Sequence, residues 1–207
     1  TDIMMHTMER YFNMSENMEL TDGISEALIK TVMKHSKILK EHPDCYESRA
    51  EVMWASSLSH NDLTGCGTDG GDWACHQLEH EIGGMFDVAH GAGLAAVWGS
   101  WARYVYKARP ERFAKFARNI FNIQETDDEK AAVAGIEAME NYYRSVGMPT
   151  SLCELGIHAT EEQIKEMADK CSFYGKRTVG VMKKIGAPEA AEIYRMANDK
   201  SIPLYSR

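Results

Sequence analysis

The chain has 207 residues, of which 44% are hydrophobic and 26% charged, and its formal net charge is −8. That length suits one domain with a substantial buried core. An acidic surface repels phosphate backbones, which argues against a nucleic-acid partner, and no apolar run reaches the roughly 18 residues that mark a membrane-spanning helix.

Apolar residues recur at helical spacing from the start. Ile3, Met5, Met8 and Tyr11/Phe12 predict a helix over 2–12. The chain opens inside that pattern, without an initiator Met or a basic leader, and so reads as a fragment. After a break at Thr21-Asp22-Gly23, a second helix carries Ile24, Leu28, Ile29, Val32 and Met33. His42-Pro43-Asp44 stops it, and Asp44 is the expected N-cap of a third helix through Val52-Met53-Trp54 and Leu58. Residues 61–71 (NDLTGCGTDGG) are rich in Gly and read as a loop. A helix of about four turns follows from Asp72, its expected N-cap, to Met85.

His90-Gly91-Ala92-Gly93-Leu94 starts the next helix, with small residues that permit close approach. Pro110 opens an amphipathic helix over 110–121. A long helix spans 127–146, and its acidic start (Glu125 to Glu129) reads as solvated. Thr160-Glu161-Glu162-Gln163 forms a capping box for a helix over 160–171, and a last helix covers 187–199. No stretch alternates with period two long enough for a strand, so the expected architecture is a single all-α domain over 1–207. The 13 Met suit a helical core. The five Cys lack CxxC spacing and read as free thiols of a reducing cytoplasm.

Chemistry concentrates on a few residues. Asp2 and His6 stand at i,i+4 on the first helix, as do His76 and His80 on another, and His90 opens the helix after that. One carboxylate with several imidazoles is a donor set that divalent iron or zinc accepts. An i,i+4 pair of His is also common as plain polar decoration, and spacing alone does not separate the two uses. His76-Gln77-Leu78-Glu79-His80 additionally matches H-x-x-E-H, the inverted zinc-peptidase signature, which would need a third ligand such as Glu137 or Glu140. A non-catalytic helical scaffold is the third reading. Trp73 serves either as core or as a wall of the site, and His35, His42, His60 and His158 lack partner spacing and read as ordinary.

Three ordered elements carry a family resemblance. Asp2-Ile3-Met4-Met5-His6-Thr7-Met8-Glu9-Arg10-Tyr11 resembles the D-x-x-x-H-x-x-E-R-Y element of iron-dependent (group III) alcohol dehydrogenases. Asp72-Trp73-Ala74-Cys75-His76-Gln77-Leu78-Glu79-His80-Glu81 resembles the D-W-x-x-H-x-x-x-H-E element of their butanol dehydrogenase branch, and His90-Gly91-Ala92-Gly93-Leu94-Ala95 the H-G-x-x-L-A element that follows. Glu47 to Ala55 and Met148 to Leu152 are also similar to that branch.

The resemblance implies the helical C-terminal domain of such an enzyme. Asp2, His6, His76 and His90 then correspond to the metal ligands, with Fe(II) the usual ion and Zn or another divalent metal an alternative. His80 corresponds to a catalytic His near the metal and the nicotinamide. It further implies NAD(P)H as cofactor and an aldehyde or primary alcohol as substrate, and the face that would meet the missing domain is expected to be exposed and to invite self-association into a homo-oligomer. The family's N-terminal α/β half binds the dinucleotide, and no G-x-G-x-x-G or βαβ pattern occurs in this chain. A polyol dehydrogenase or a dehydroquinate-type synthase is the related alternative, and Asp72-Trp73 and His80 argue against the synthase.

Overall fold

The computed structural model describes residues 1–199. It is all-α: among the described residues the only β pairing is one isolated bridge between Val179 and Ile185. The last eight residues of the expected 1–207 domain lie outside the described residues.

The helices are α1 (Asp2–Tyr11), α2 (Glu19–Glu41), α3 (Tyr46–His60), α4 (Ala74–Phe86), α5 (His90–Val105), α6 (Pro110–Phe121), α7 (Asp128–Ser145), α8 (Glu161–Cys171) and α9 (Ala187–Asn198). Short 3₁₀ turns at Leu63–Gly65 and Tyr106–Ala108 complete the helices of the described residues. Neighbours in sequence pair as hairpins, α2 with α3, α4 with α5, α6 with α7 and α8 with α9. Helix α1 packs against α2, α3 and α5. Met4, Met5, Met8 and Phe12 are fully buried there, so the Met-rich face is core. Phe12 stacks on Phe113 at 4.3 Å and meets Trp101 and Phe116 edge-on or tilted, an aromatic cluster that fixes α1 against α5 and α6.

Several boundaries differ from the sequence expectation. Helix α2 begins at Glu19 and runs straight through Thr21-Asp22-Gly23. Asp22 is not a breaker because its buried carboxylate accepts hydrogen bonds from Arg112 (2.6 Å) and Lys115 (2.5 Å) across the fold, a charged anchor in the first turn of the helix. Helix α3 starts one residue late, with Cys45 rather than Asp44 at its cap. Its Met53 and Trp54 face outward, 67% and 63% exposed. Helix α4 starts at Ala74, with Trp73 at the cap in the left-handed region (φ 60°) and Asp72 one position earlier. Asp72 still accepts from Ala74 N at 3.2 Å, and its second oxygen accepts from Val181 N and Met182 N, both at 2.8 Å. It therefore ties the 179–185 turn to α4 rather than serving as a local cap alone. Burial pushes its carboxyl up to about 6, against the three amides. By contrast, Pro110 opens α6, Asp127 caps α7 by accepting from Lys130 N, and the Thr160/Gln163 capping box forms at α8.

Candidate metal centre

Helices α1, α4 and α5 converge with their chemistry on one point. Asp2 and His6 leave the first turns of α1, His76 the first turn of α4, and His90 is the first residue of α5. The Nε2 atoms of His76, His6 and His90 lie 3.3, 3.6 and 3.6 Å from the same oxygen, Oδ1 of Asp2. Asp2, His6 and His76 present ligand atoms close enough to share one ion.

Carboxylates behind the ring set the direction of two of these imidazoles. Nδ1 of His76 donates to Oε2 of Glu9, and Nδ1 of His90 donates to Oε2 of Glu79. Glu9 and Glu79 are each about 1% exposed. An Nδ1–H held by a buried carboxylate leaves Nε2 as the free lone pair and raises its basicity, which is how metal-ligating His are commonly oriented. The other oxygen of Glu9 accepts from Cys75 N at 2.7 Å and His76 N at 3.4 Å, so one carboxylate both caps α4 and orients the His76 ring. Glu79 fits only because α5 lacks a side chain opposite it. A Cβ on Gly93 would lie 2.5 Å from Glu79 Oε1, which is the close approach expected of the small residues after His90.

The electrostatics suit a cation at this point. In competition with any ion, Nε2 of His76 can also take a proton, and the hydrogen bond it then donates holds Asp2 well below the usual carboxylate range, against burial and with help from the charges of His6, His76 and His90. Burial, then the charge of His76, pushes His6 down to about 4. Burial opposes the charge of His76, but Asp2 and Glu9 outweigh it and raise that group to about 9. Nδ1 of His6 is buried without a hydrogen-bond partner among the described residues; its ring is positioned by packing, 4.6 Å from His76 and 5.2 Å from Trp73, both edge-on. One carboxylate and three inward-facing imidazole nitrogens fit a divalent iron or zinc ion.

His80 sits one turn beyond His76, exposed, with its ring stacked 5.8 Å from His90 and edge-on to His76 at 6.2 Å. Burial, followed by the charges of His76 and His90, lowers its pKa. Trp73 borders the site, half-buried, with Arg10 over its ring at 4.9 Å. The H-x-x-E-H reading fares poorly in this geometry. Its Glu79 is buried and engaged with His90, and Glu140 forms a paired salt bridge to Arg103 at 2.6 and 2.7 Å. Of the His read as ordinary, His35 bonds Ser48 and His158 lies near Cys153. His60 is different: it reaches the site, 3.5 Å from Asp2 Oδ2. Its position closing α3 gave no spacing signal, and neither did the roles of Glu9 and Glu79, because their partners lie on other helices.

Fold and site thus define an all-α domain with an Asp–His cluster suited to a divalent metal. The model of the Fe-containing alcohol dehydrogenase family, C-terminal, matches residues 1–197, and the chain belongs to this family. It is 36% identical over 196 residues to NADH-dependent butanol dehydrogenase A of Clostridium acetobutylicum, covering 94% of this chain and 50% of that protein. It is 29% identical to the NADPH-dependent aldehyde reductase YqhD of Escherichia coli, covering 95% and 50%. The crystal structure of NADH-dependent butanol dehydrogenase A from Thermotoga maritima superposes with a TM-score of 0.89 at 35% identity, over 96% of this chain and 50% of that one. The chain therefore spans about half the length of the curated relatives it matches.

Proposed function

We propose that this chain is the metal- and substrate-binding half of an NAD(P)H-dependent dehydrogenase that interconverts an aldehyde and a primary alcohol. The observation that carries the reading is the convergence of three imidazole Nε2 atoms on one oxygen of Asp2. Asp2, His6, His76 and His90 would hold Fe(II), or Zn or another divalent ion. Such an ion supplies Lewis acidity toward an aldehyde or alcohol oxygen, while the cofactor supplies the hydride. Glu9 and Glu79 keep the imidazoles aimed. His80, exposed beside His76 and His90, orients the substrate or relays the alcohol proton. Its lowered pKa keeps the ring neutral near pH 7 and able to accept that proton.

The dinucleotide belongs to an α/β half that these 207 residues do not contain, so the chain alone is expected to transfer no hydride. Similarity to both NADH- and NADPH-dependent relatives leaves the class of cofactor at NAD(P)H. The free thiols suit a cytoplasmic protein, and no helix among the described residues is long and apolar enough to cross a membrane. The outward Tyr46, Met53 and Trp54 of α3 favour a homo-oligomer.

The test is metal content by elemental analysis of the native chain beside its His76→Ala and His80→Ala variants. One metal per chain, lost with His76 and kept without His80, is the expected result. Loss in both variants favours the zinc-peptidase reading, and no metal in any of them sinks the metal centre.

A further inference from the structure

His60 is the last residue of α3 and lies outside the ligand set implied by the resemblance. Its Nδ1 is 3.0 Å from the carbonyl oxygen of Ser56 and 2.7 Å from Oγ of Ser59. The Ser59 hydroxyl donates to that same Ser56 carbonyl at 2.9 Å. Both neighbours of Nδ1 are therefore acceptors, and Nδ1 carries the ring hydrogen. The lone pair is left on Nε2, which faces Oδ2 of Asp2 at 3.5 Å. Two acceptors pointed at each other repel unless a metal ion or a proton lies between them.

This is the arrangement of His76 and His90 repeated on the other side of the same carboxylate: Nδ1 held by an acceptor, Nε2 toward Asp2. His60 also packs on His6 with ring centroids 4.0 Å apart and a tilt of 35°. Both oxygens of Asp2 are thus lined by imidazole nitrogens, Oδ1 by three and Oδ2 by one. We propose that His60 is a fifth protein ligand to the metal, completing a site of one carboxylate and four imidazoles. The proposal rests on the metal centre described above. A fifth protein donor would leave less room for a substrate oxygen, so His60 would act as a ligand that substrate must compete with or displace.

The experiment uses the full 207-residue chain loaded with Co(II), whose paramagnetism shifts the exchangeable Nδ1–H proton of each imidazole bound through Nε2 far from the ordinary proton range. Native protein and His60→Ala are compared, together with Zn(II) affinity by competition with a chromophoric chelator. The exposed position of His60 lets the variant fold, and circular dichroism of the metal-free forms checks this. The expected result is four shifted resonances in the native protein, three in the variant, and a Zn(II) Kd raised at least tenfold. Three resonances in the native protein overturn the proposal whatever the affinity does, as do four in the variant or a Kd within twofold of native. Failure of the native chain to bind Co(II) at all overturns the metal centre itself along with this ligand.

Discussion

Replacing Glu9 by Gln removes one charge from a group about 1% exposed and changes almost no volume. Three donors meet that carboxylate: Cys75 N and His76 N on Oε1, and His76 Nδ1 on Oε2. An amide has only one acceptor oxygen, so its NH₂ must face a donor on one side. If the NH₂ faces His76, the imidazole must shift its hydrogen to Nε2, which blocks the lone pair aimed at Asp2. If it faces α4, the first turn loses its cap. Losing a hydrogen bond to a charged buried group costs about 1.5 to 3 kcal/mol. Weakening the orientation of a ligand costs roughly tenfold to a hundredfold in metal affinity, or about 1.4 to 2.8 kcal/mol. Glu9→Gln should therefore lower the stability of the metal-free chain and weaken Zn(II) binding together. Urea unfolding with chelator present reads the first effect, and chelator competition the second. A folded variant whose Kd stays within threefold of native refutes the assignment of Glu9 as the group that aims His76.

Further outcomes follow from the same contacts. Gly93→Ala gains helix propensity of about 1 kcal/mol, yet its Cβ would press on Glu79 Oε1 at 2.5 Å and Cγ at 2.8 Å. A net loss of about 1 to 3 kcal/mol and weaker metal binding are expected in calorimetry and chelator titration, and an unchanged Tm with native affinity would contradict the packing argument. Asp72→Asn sets an NH₂ against amide donors that now face a carboxylate and should cost about 2 to 3 kcal/mol in urea unfolding, with metal stoichiometry retained. The pH dependence of the metal-free chain has two limbs. His6 is pushed down to about 4 in the fold from an ordinary 6.5, so its contribution rises as pH climbs from 4 to 6.5, while Asp72, pushed up to about 6 from an ordinary 3.8, gives the opposite slope over nearly the same range. His76 is raised to about 9, so its proton stabilises the fold below pH 6.5 and that contribution is lost as pH rises through 9. Chelator-treated protein should lose stability as pH rises from 6.5 to 9 by thermal melts, while Zn(II), displacing the His76 proton, should bind about tenfold tighter per pH unit between 7 and 9. A flat profile on both counts would remove His76 from the site.

Much of the architecture was legible along the chain, because helical periodicity and capping are local. The Pro110 start, the Thr160 capping box and the α9 span need only neighbours within a turn or two, and they appear as expected. Where a residue answered to a distant partner, local reading failed. Thr21-Asp22-Gly23 looks like a break until Arg112 and Lys115 arrive to hold Asp22. Asp72 looks like a simple cap until Val181 and Met182 reach its other oxygen.

The candidate site divides the same way. Spacing on single helices marked Asp2 with His6 and His76 with His80, and the ordered elements added His90. The sequence by itself thus determined an all-α domain, its family and the residue types offered to a metal. Only the tertiary structure decided which nitrogen of each ring faces inward, since that depends on Glu9 reaching from α1 to α4 and on Glu79 lying in the gap left by Gly93. It also brought His60 beside Asp2. Hydrogen-bond direction between separate helices is a property of packing, and no periodicity along one chain encodes it.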